Sequence, residues 1–379
     1  MAGPYCATLL ADLGAMVIKV EKPRRGDLIR FTDTYVRGQS GYFLGINRGK
    51  KGLTVDLRTR EGQRIIQQLA GRVDVLIENF RPGMMDTWSL GYSHLSDTNA
   101  GLIYCSMSAF GDASDADATG NDITLQAYSG LMDLTGYSDG PPAKVGAPVI
   151  DAATSLLGAV GILTALYRRT QTGRGEHLSL SLLEAAYALM PNFLTSELNG
   201  DVHFQRLGSG HPQLVPYQAF LAADGKYVVV GAFHRASWQK LCRALGREDL
   251  LEDDRFRENW DRLANREALI PLLQAEIQKR PSEEWLSIFR EADIPASPVL
   301  ALHESLALFR HRIDDLCTVV RHQALGELTT LRPPVRFSQD PPPAVTQAAP
   351  ALGQDTDAIL ASLGYTEAEI EDLRRRGIV

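Results

Sequence analysis

The chain has 379 residues, of which 44% are hydrophobic and 22% charged, and this composition is typical of a globular protein with two domains. A formal net charge of −7 argues against nucleic acid as the main partner, and no apolar run approaches the roughly 18 residues that a membrane helix needs. Asp12 interrupts the apolar N-terminal stretch, which excludes a signal peptide. The four cysteines lack metal-type spacing, so we expect a cytoplasmic protein in a reducing compartment.

The first third of the chain alternates between helical and extended patterns. Helices are predicted over 4–13 and 60–71, and strands over 16–20, 53–57, 73–80 and 101–110. This alternation predicts an α/β fold with a parallel sheet. A doubly wound sheet normally opens on a strand, whereas this chain opens on a helix. We therefore expect the opening strand to be encoded ahead of Met1.

The rest of the chain predicts a second unit between two linkers. Residues 152–169 form a nearly continuous apolar helix, which we expect to be buried and to end at Gly173. Composition then places a large domain over 1–190, a linker over 191–216 and a small domain over 217–330. A second linker covers 331–350, and a helical C-terminal segment over 351–379 returns to the large domain.

Three short stretches contain residues that are suited to catalysis or ligand binding. The cations of 47–51 suit phosphates, although a solvated turn explains them better when they are taken alone. Residues 78–83 end a parallel strand, where ligands bind in open sheets, and an ordinary turn is equally consistent. The segment 146–151 delivers Asp151 to the start of the apolar helix. On composition alone, a helix N-cap is the more probable role for Asp151.

Several common enzyme classes lack support in the sequence. There is no G-x-G-x-x-G after a strand, no G-x-S-x-G and no Walker A loop. The eight histidines show no metal-ligand spacing, so no metal site is predicted.

The whole chain resembles the family III CoA-transferases, the group that includes formyl-CoA transferase, carnitine CoA-transferase and alpha-methylacyl-CoA racemase. The likeness rests on an ordered set of short motifs over nearly the full length: 2–6, 10–15, 17–23, 47–51, 78–83, 129–132, 135–136, 146–151, 172–175, 211–212, 216–217, 224–225, 294–295, 352–353 and 377–379.

The resemblance implies a Rossmann-like large domain with a parallel sheet, a smaller α+β domain and an interlocked homodimer. It implies that acyl-CoA and a carboxylic acid are the substrates, and that Asp151 is the nucleophile. CoA transfer exchanges one thioester for another, so it needs no metal, redox group or permanently bound cofactor. The expected partners are these substrates and a second copy of the chain, without nucleic acid or membrane.

The resemblance also implies a set of CoA-binding positions. In formyl-CoA transferases a Lys and a Tyr occur where this chain has Ser108 and Phe110, which disfavours oxalate-type chemistry. The residues expected to bind CoA are Lys22, Arg48, Lys50, Asn79, Phe80, Arg81, Ser108 and Phe110.

Two other functions compete with CoA transfer. An acyl-CoA racemase needs a second acid or base, and the family's racemases have a His where this chain has Asn121, whose amide cannot carry a proton. A non-catalytic CoA-binding dimer is the second alternative, since loss of the first strand would account for an inactive protein.

Overall fold

The structure is a computed structural model that describes residues 1–33, 35–111, 119–339 and 345–379. Part of the predicted second linker, residues 340–344, lies outside the described residues. The chain divides into two compact units. The first comprises Met1–Ser129, Val145–Leu194 and His311–Val379, and the second comprises Gly130–Lys144 and Thr195–Arg310. The second unit thus begins with a segment that the sequence placed in the large domain, and the chain returns to the first unit at His311.

The helices and strands follow one another along both units. The strands are β1 (Val17–Glu21), β2 (Lys50–Thr54), β3 (Val75–Glu78), β4 (Ile103–Ser108), β5 (Glu176–Ser181), β6 (Tyr217–Leu221), β7 (Tyr227–Gly231), β8 (Ala296–Pro298), β9 (Cys317–His322) and β10 (Gly326–Leu331). The helices are α1 (Ala2–Asp12), α2 (Gly41–Ile46), α3 (Arg60–Ala70), α4 (Met84–Thr87), α5 (Tyr92–Thr98), α6 (Asp122–Tyr128), α7 (Leu131–Leu134), α8 (Val149–Thr172), α9 (Leu182–Ala188), α10 (Pro191–Asn199), α11 (Arg235–Leu245), α12 (Asp249–Glu252), α13 (Asn259–Ala264), α14 (Arg266–Ile277), α15 (Ser282–Glu291), α16 (Leu302–Leu308), α17 (Arg310–Leu316), α18 (Thr356–Leu363) and α19 (Glu367–Arg375).

The first unit has the predicted mixed α/β architecture with parallel strands. Strand β1 pairs in parallel with β2, and β4 lies between β3 and β5 in a second parallel sheet. One face of these strands packs with α3, α18 and α19 around an apolar cluster that includes Leu53, Ile65 and Leu360. A β9–β10 hairpin, which the sequence analysis did not find, also belongs to this unit.

The second unit is built on an antiparallel sheet of β6, β7 and β8. Its core surrounds Trp238, Phe256 and Phe289, all of which are fully buried. Arg262 is buried beside them, and its guanidinium donates to the backbone carbonyls of Val215, Phe256, Arg257 and Phe233. These acceptors satisfy a charge that would otherwise be costly to bury.

Helix α8 is the central helix of the first unit and corrects two expectations. By length and composition it is able to cross a membrane, so the statement that no apolar run approaches the length of a membrane helix was wrong. It packs against α1, α9, β4 and β5, which makes it a core helix. It is not buried all round, because one face exposes Leu156, Leu157, Val160, Leu163 and Tyr167. Its end at Gly173, with φ 69°, is as predicted.

The segment 191–216 differs from the predicted linker. Its first residues form α10, which begins at Pro191. Proline is favoured in the first turn of a helix, where its missing N–H has no intrahelical partner to lose. The prediction of a linker over 191–216 was therefore wrong for its first part, Pro191–Asn199, which is helical.

Candidate functional site

Asp151 lies in the first turn of α8, and a different carboxylate caps that helix. The backbone N–H groups of Ile150 and Asp151 donate to Asp122 Oδ2 at 2.9 and 3.2 Å. Asp122 Oδ1 accepts a further hydrogen bond from Gln126 Nε2 at 2.5 Å. Because Asp122 satisfies the helix start, the Asp151 side chain is left for another role. The interpretation of Asp151 as the N-cap of this helix is thus wrong.

The Asp151 carboxylate is partly buried next to the start of α1. It accepts a hydrogen bond from the backbone N–H of Ala2. Ser155 Oγ donates to the carbonyls of Ala2 and Asp151 at 2.8 and 2.7 Å, which fixes the first turn of α1 against α8. Burial raises the pKa of the Asp151 carboxyl, and the Asp122 carboxylate raises it further, while the terminal amino group and the Ala2 amide oppose the change. A desolvated carboxylate of this kind is a better nucleophile than a hydrated one.

Tyr42, on α2, belongs to the same neighbourhood. Burial raises the pKa of its phenol to about 12, with added contributions from the carboxylates of Asp151, Asp122 and Asp27. Its hydroxyl therefore remains protonated at neutral pH, within the electrostatic range of the Asp151 carboxylate.

Arg48 and Lys50, which were predicted to contact CoA from segment 47–51, point into the protein. Arg48 is 6% exposed and forms a buried ion pair with Asp12, with Nε 3.1 Å from Oδ1. Lys50 is 2% exposed, and its ammonium donates to the carbonyls of Pro4 and Ile46 and to Asn47 Oδ1 at 2.6, 3.0 and 3.0 Å.

This placement of Lys50 has a local cause. Strand β2 begins at Lys50, three residues before the predicted strand, so alternation along the strand turns Lys50 inward and Lys51 outward. Burial, with the nearby Lys19 ammonium, lowers the pKa of Lys50. A direct contact of Arg48 or Lys50 with CoA stays a prediction, and both cations have internal partners in this structure.

The residues after β3 lie at the surface beside the start of α1. Asn79, Phe80 and Arg81 are exposed. A Cβ atom placed on Gly3 would lie 3.6 Å from Asn79 Cγ, so Asn79 and Asp151 both flank the first turn of α1. The ring of Phe80 meets Trp88 edge to face, with centroids 5.3 Å apart.

The remaining predicted positions follow β1 and β4. Lys22 is exposed just beyond β1. The hydrogen bond from Arg58 lowers the pKa of Asp56, and the charge of Lys22 adds a smaller contribution. Ser108 ends β4, and its hydroxyl accepts from the N–H of Gly111 at 2.9 Å. The ring of Phe110 packs edge to face on Tyr128, 5.7 Å between centroids. These residues lie at the carboxyl ends of parallel strands, where ligands of α/β proteins bind.

Two cysteines are also potential nucleophiles, and both lie in the core. Cys6 and Cys105 are both fully buried. Burial raises the pKa of the Cys6 thiol to about 12 and also raises that of Cys105. Neither thiol therefore forms an appreciable thiolate at neutral pH. Among the described residues, no group of three or more His, Cys, Asp or Glu side chains is arranged to hold a metal ion.

Asp122, Tyr42 and the Ala2 amide were missed as site residues by sequence reasoning. Asp122 is separated from Ile150 by 28 positions, so no local spacing reveals the cap. Asn121, its neighbour, is occupied in a capping box with Thr124 at the start of α6.

Comparison with known proteins now assigns the family. The model of CoA-transferase family III matches residues 1–356. The chain is 34% identical to the succinyl-CoA:glutarate CoA-transferase of Mus musculus over 382 aligned residues, covering 100% of this chain and 87% of the relative. It is 40% identical to the succinyl-CoA:mesaconate CoA-transferase of Haloarcula hispanica over 309 residues, which cover 79% of this chain and 77% of that protein.

A solved structure agrees with these relatives. The crystal structure of a CAIB/BAIF family protein from Brucella suis superimposes with a TM-score of 0.82 at 33% identity, covering 96% of both chains. This likeness confirms the mixed α/β fold with parallel sheets. The chain is a member of CoA-transferase family III, an enzyme that transfers CoA between an acyl-CoA and a carboxylate.

Proposed function

We propose that Asp151 is the covalent nucleophile of this CoA transfer. The proposal rests on the finding that Asp122, and not Asp151, caps α8. The Asp151 carboxylate is therefore not used for capping; it is partly buried and accepts a hydrogen bond from the N–H of Ala2. A carboxylate used only for capping would have the helix amides as its partners.

The reaction begins with attack of an Asp151 carboxylate oxygen on the thioester carbonyl. The carbon–sulfur bond breaks, CoA leaves as its thiolate, and a mixed anhydride forms. The thiolate then attacks the aspartyl carbonyl of that anhydride, and the first acid leaves as a carboxylate. The product is an aspartyl-CoA thioester. The acceptor carboxylate attacks this thioester and the same two exchanges run in reverse, which yields the new acyl-CoA and restores Asp151.

The donors available for the developing oxyanions are not the free amides at the start of α8. The amides of Ile150 and Asp151 at the start of α8 are bound to Asp122 and do not point at a substrate. The N–H of Ala2 donates to the carboxylate, and the phenol of Tyr42 lies within the electrostatic range of it. We assign them the stabilisation of negative charge on the reacting carbonyl oxygens.

Racemase chemistry is less consistent with this arrangement. The backbone N–H and side-chain oxygen of Asn121 are both engaged with Thr124, at 2.8 and 3.2 Å. Both oxygens of Asp122 accept hydrogen bonds. Neither side chain is a free acid or base that could return a proton to an alpha carbon opposite Asp151.

For the CoA moiety we propose the surface formed by Lys22, Asn79, Phe80 and Arg81, with Ser108 and Phe110 nearer the acyl group. Exposed cations and an exposed ring suit the phosphates and the adenine of CoA. Asn79 links this surface to the nucleophile, because both flank the first turn of α1.

The relatives suggest the acids. Their names specify transfer between succinyl-CoA and glutarate or mesaconate, and between acetyl-CoA and oxalate. We propose a dicarboxylic acid acceptor and a succinyl-CoA-type donor, with oxalate disfavoured by Ser108 and Phe110. The cytoplasmic location stays a prediction.

We also propose that the chain acts as a homodimer. The exposed apolar face of α8, from Leu156 to Tyr167, is larger than a surface helix normally leaves to water. A second copy of the chain would cover it.

The proposed function is tested by a matrix of acyl-CoA donors and acids, read by mass spectrometry of the acyl-CoA products. We expect new acyl-CoA only when donor and acid are both present, with succinyl-CoA and glutarate or mesaconate among the productive pairs. Free CoA as the sole product, or no product from any pair, would contradict the proposal and favour a non-catalytic binding protein.

A further inference from the structure

One arginine of the second unit is withdrawn from solvent without a carboxylate partner. Arg266, the first residue of α14, is half-buried. Among the described residues, its guanidinium donates to one acceptor, the backbone carbonyl of His211, and forms no ion pair. Buried Arg262 also lacks an ion pair, but its guanidinium donates to four carbonyls. The other arginines that are not exposed all pair with a carboxylate: Arg30 with Glu21, Arg48 with Asp12, Arg169 with Asp74, Arg206 with Asp133 and Arg247 with Asp249.

The charge of Arg266 is therefore poorly compensated. Burial lowers the pKa of its guanidinium, and no carboxylate of the described chain opposes that change. A guanidinium has five N–H donors, and one hydrogen bond to a carbonyl leaves most of them without a protein acceptor. Withdrawing such a charge from water is costly unless an anion or further acceptors meet it. This environment favours an anion that comes from outside the chain.

Gly210 leaves one side of the guanidinium uncovered. A Cβ atom placed on Gly210 would lie 3.5 Å from Arg266 Nη1 and 3.0 Å from the carbonyl oxygen of Leu207. The φ of Gly210 is not positive, so the backbone conformation does not require glycine there. The missing side chain instead leaves space in front of Nη1, where a ligand oxygen can approach.

His211 supplies a second donor close to this cation. Its Nδ1 accepts from the N–H of Gln213 at 3.1 Å, so the proton of the neutral ring is on Nε2. Burial and the charge of Arg266 lower the pKa of His211, which keeps the ring neutral at neutral pH and shows that the two side chains interact. The ring packs edge to face against Tyr217, 5.5 Å between centroids. His211 thus offers a fixed Nε2–H without adding a charge.

The loop that carries these groups, residues 207–213, is held in place by the neighbouring strand β6. The N–H of His211 donates to the carbonyl of Tyr217 at 3.0 Å, and the N–H of Ala219 donates to Ser209 Oγ at 3.0 Å. The bond from Arg266 to the His211 carbonyl ties the same loop to α14. A site that is already ordered loses little conformational entropy when a ligand binds.

We infer that Arg266 and His211 form a binding site for one carboxylate of the dicarboxylic acid substrate. A planar guanidinium matches the two oxygens of a carboxylate, and Nε2–H of a neutral histidine can donate to one of them. One cation and one neutral donor suit the single negative charge of a carboxylate better than the nearly double charge of a phosphate. The inference rests on the proposed function for the identity of the acid.

Binding is tested on the unmodified protein without acyl-CoA, so that no turnover occurs. The chain is labelled with ¹³C at histidine Cε1, and the signal of His211 among the eight histidines is assigned with His211→Gln. Glutarate, its neutral diamide and inorganic phosphate are titrated separately at constant pH. We expect a saturable shift of the His211 signal with glutarate and none with the diamide. An equal shift with the diamide, tighter binding of phosphate than of glutarate, or no shift at His211 would overturn the inference.

Variants of two arginines connect the site to turnover. Arg266→Gln removes the charge but keeps an N–H for the His211 carbonyl, and Arg290→Gln, on the exposed end of α15, is the matched control. Arg266→Gln should abolish the His211 shift and raise the KM for glutarate about tenfold with kcat within about threefold, whereas the control should change neither. Equal KM values in the two variants would refute the site and leave CoA transfer standing. If the unmodified protein transfers no CoA, the proposed function fails, and the titration still decides whether the carboxylate site exists.

Discussion

Replacement of Lys50 by methionine separates a structural role from a direct contact with CoA. The Lys50 ammonium donates to three oxygens that belong to α1 and to the end of α2: the Pro4 carbonyl, the Ile46 carbonyl and Asn47 Oδ1. Methionine fills a similar volume but donates no hydrogen bond. The variant therefore removes one donor from each of them. The Thr8 hydroxyl still donates to the Pro4 and Ile46 carbonyls, at 3.1 and 2.5 Å, whereas buried Asn47 Oδ1 loses its ammonium donor.

The expected cost follows from those contacts. A buried acceptor without its partner costs about 1–3 kcal/mol. The Thr8 hydroxyl limits the loss at the two carbonyls, and relief from burying the ammonium offsets a further part, so we expect a net loss of about 2 kcal/mol, within the cost of one unsatisfied acceptor. Urea unfolding followed by fluorescence measures this free energy.

Lys51→Met is the matched control, because the neighbouring lysine is exposed and should contribute less than about 0.5 kcal/mol. In the same samples, steady-state kinetics should show a KM for acyl-CoA within about threefold of that of the unchanged enzyme. A Lys50→Met protein that is as stable as Lys51→Met but has a KM raised tenfold would refute the structural role, since tenfold corresponds to about 1.4 kcal/mol of lost binding.

Three further predictions concern the site and the assembly. Asp122→Asn should shift the acid limb of the kcat/KM profile to lower pH, because removing the Asp122 charge lowers the pKa of Asp151; an unmoved limb would contradict their coupling. With Asn121 in place of an acid or base, a chiral 2-methylacyl-CoA incubated in deuterated water should gain no label at the alpha carbon by mass spectrometry, and labelling at the rate of turnover would restore the racemase. Light scattering should show a dimer that Val160→Glu dissociates at micromolar concentration and Gln171→Glu does not; a stable active monomer of the unchanged protein would exclude the proposed interface.

The sequence predicted the order and type of the main elements of the first unit because their periodicity is local. Helix α3 and the C-terminus of α8 at Gly173 are close to their predicted positions. Strand β2 was misplaced, because its first residues are a polar Lys-Lys-Gly run whose burial depends on partners in α1 and α2.

The candidate site could be predicted only in part. Asp151 was identified by resemblance, and its position in the first turn of α8 by pattern. The Asp122 cap and the Ala2 amide come from segments distant in sequence, and only tertiary structure brings them to α8. The exposed face of α8 was also unpredictable, because a helix that is apolar all round gives no sign of which side the core covers.

The most direct test of the central claim is covalent trapping at Asp151. The enzyme is incubated with succinyl-CoA and hydroxylamine, digested, and its peptides are examined by mass spectrometry, with Asp151→Asn as the control. We predict a hydroxamate on the peptide that contains Asp151, dependent on succinyl-CoA and accompanied by loss of activity. The folded Asp151→Asn protein should carry no modification and should transfer CoA at least a thousandfold more slowly. Modification of another residue, or a folded Asp151→Asn protein with near-normal transfer, would contradict the mechanism.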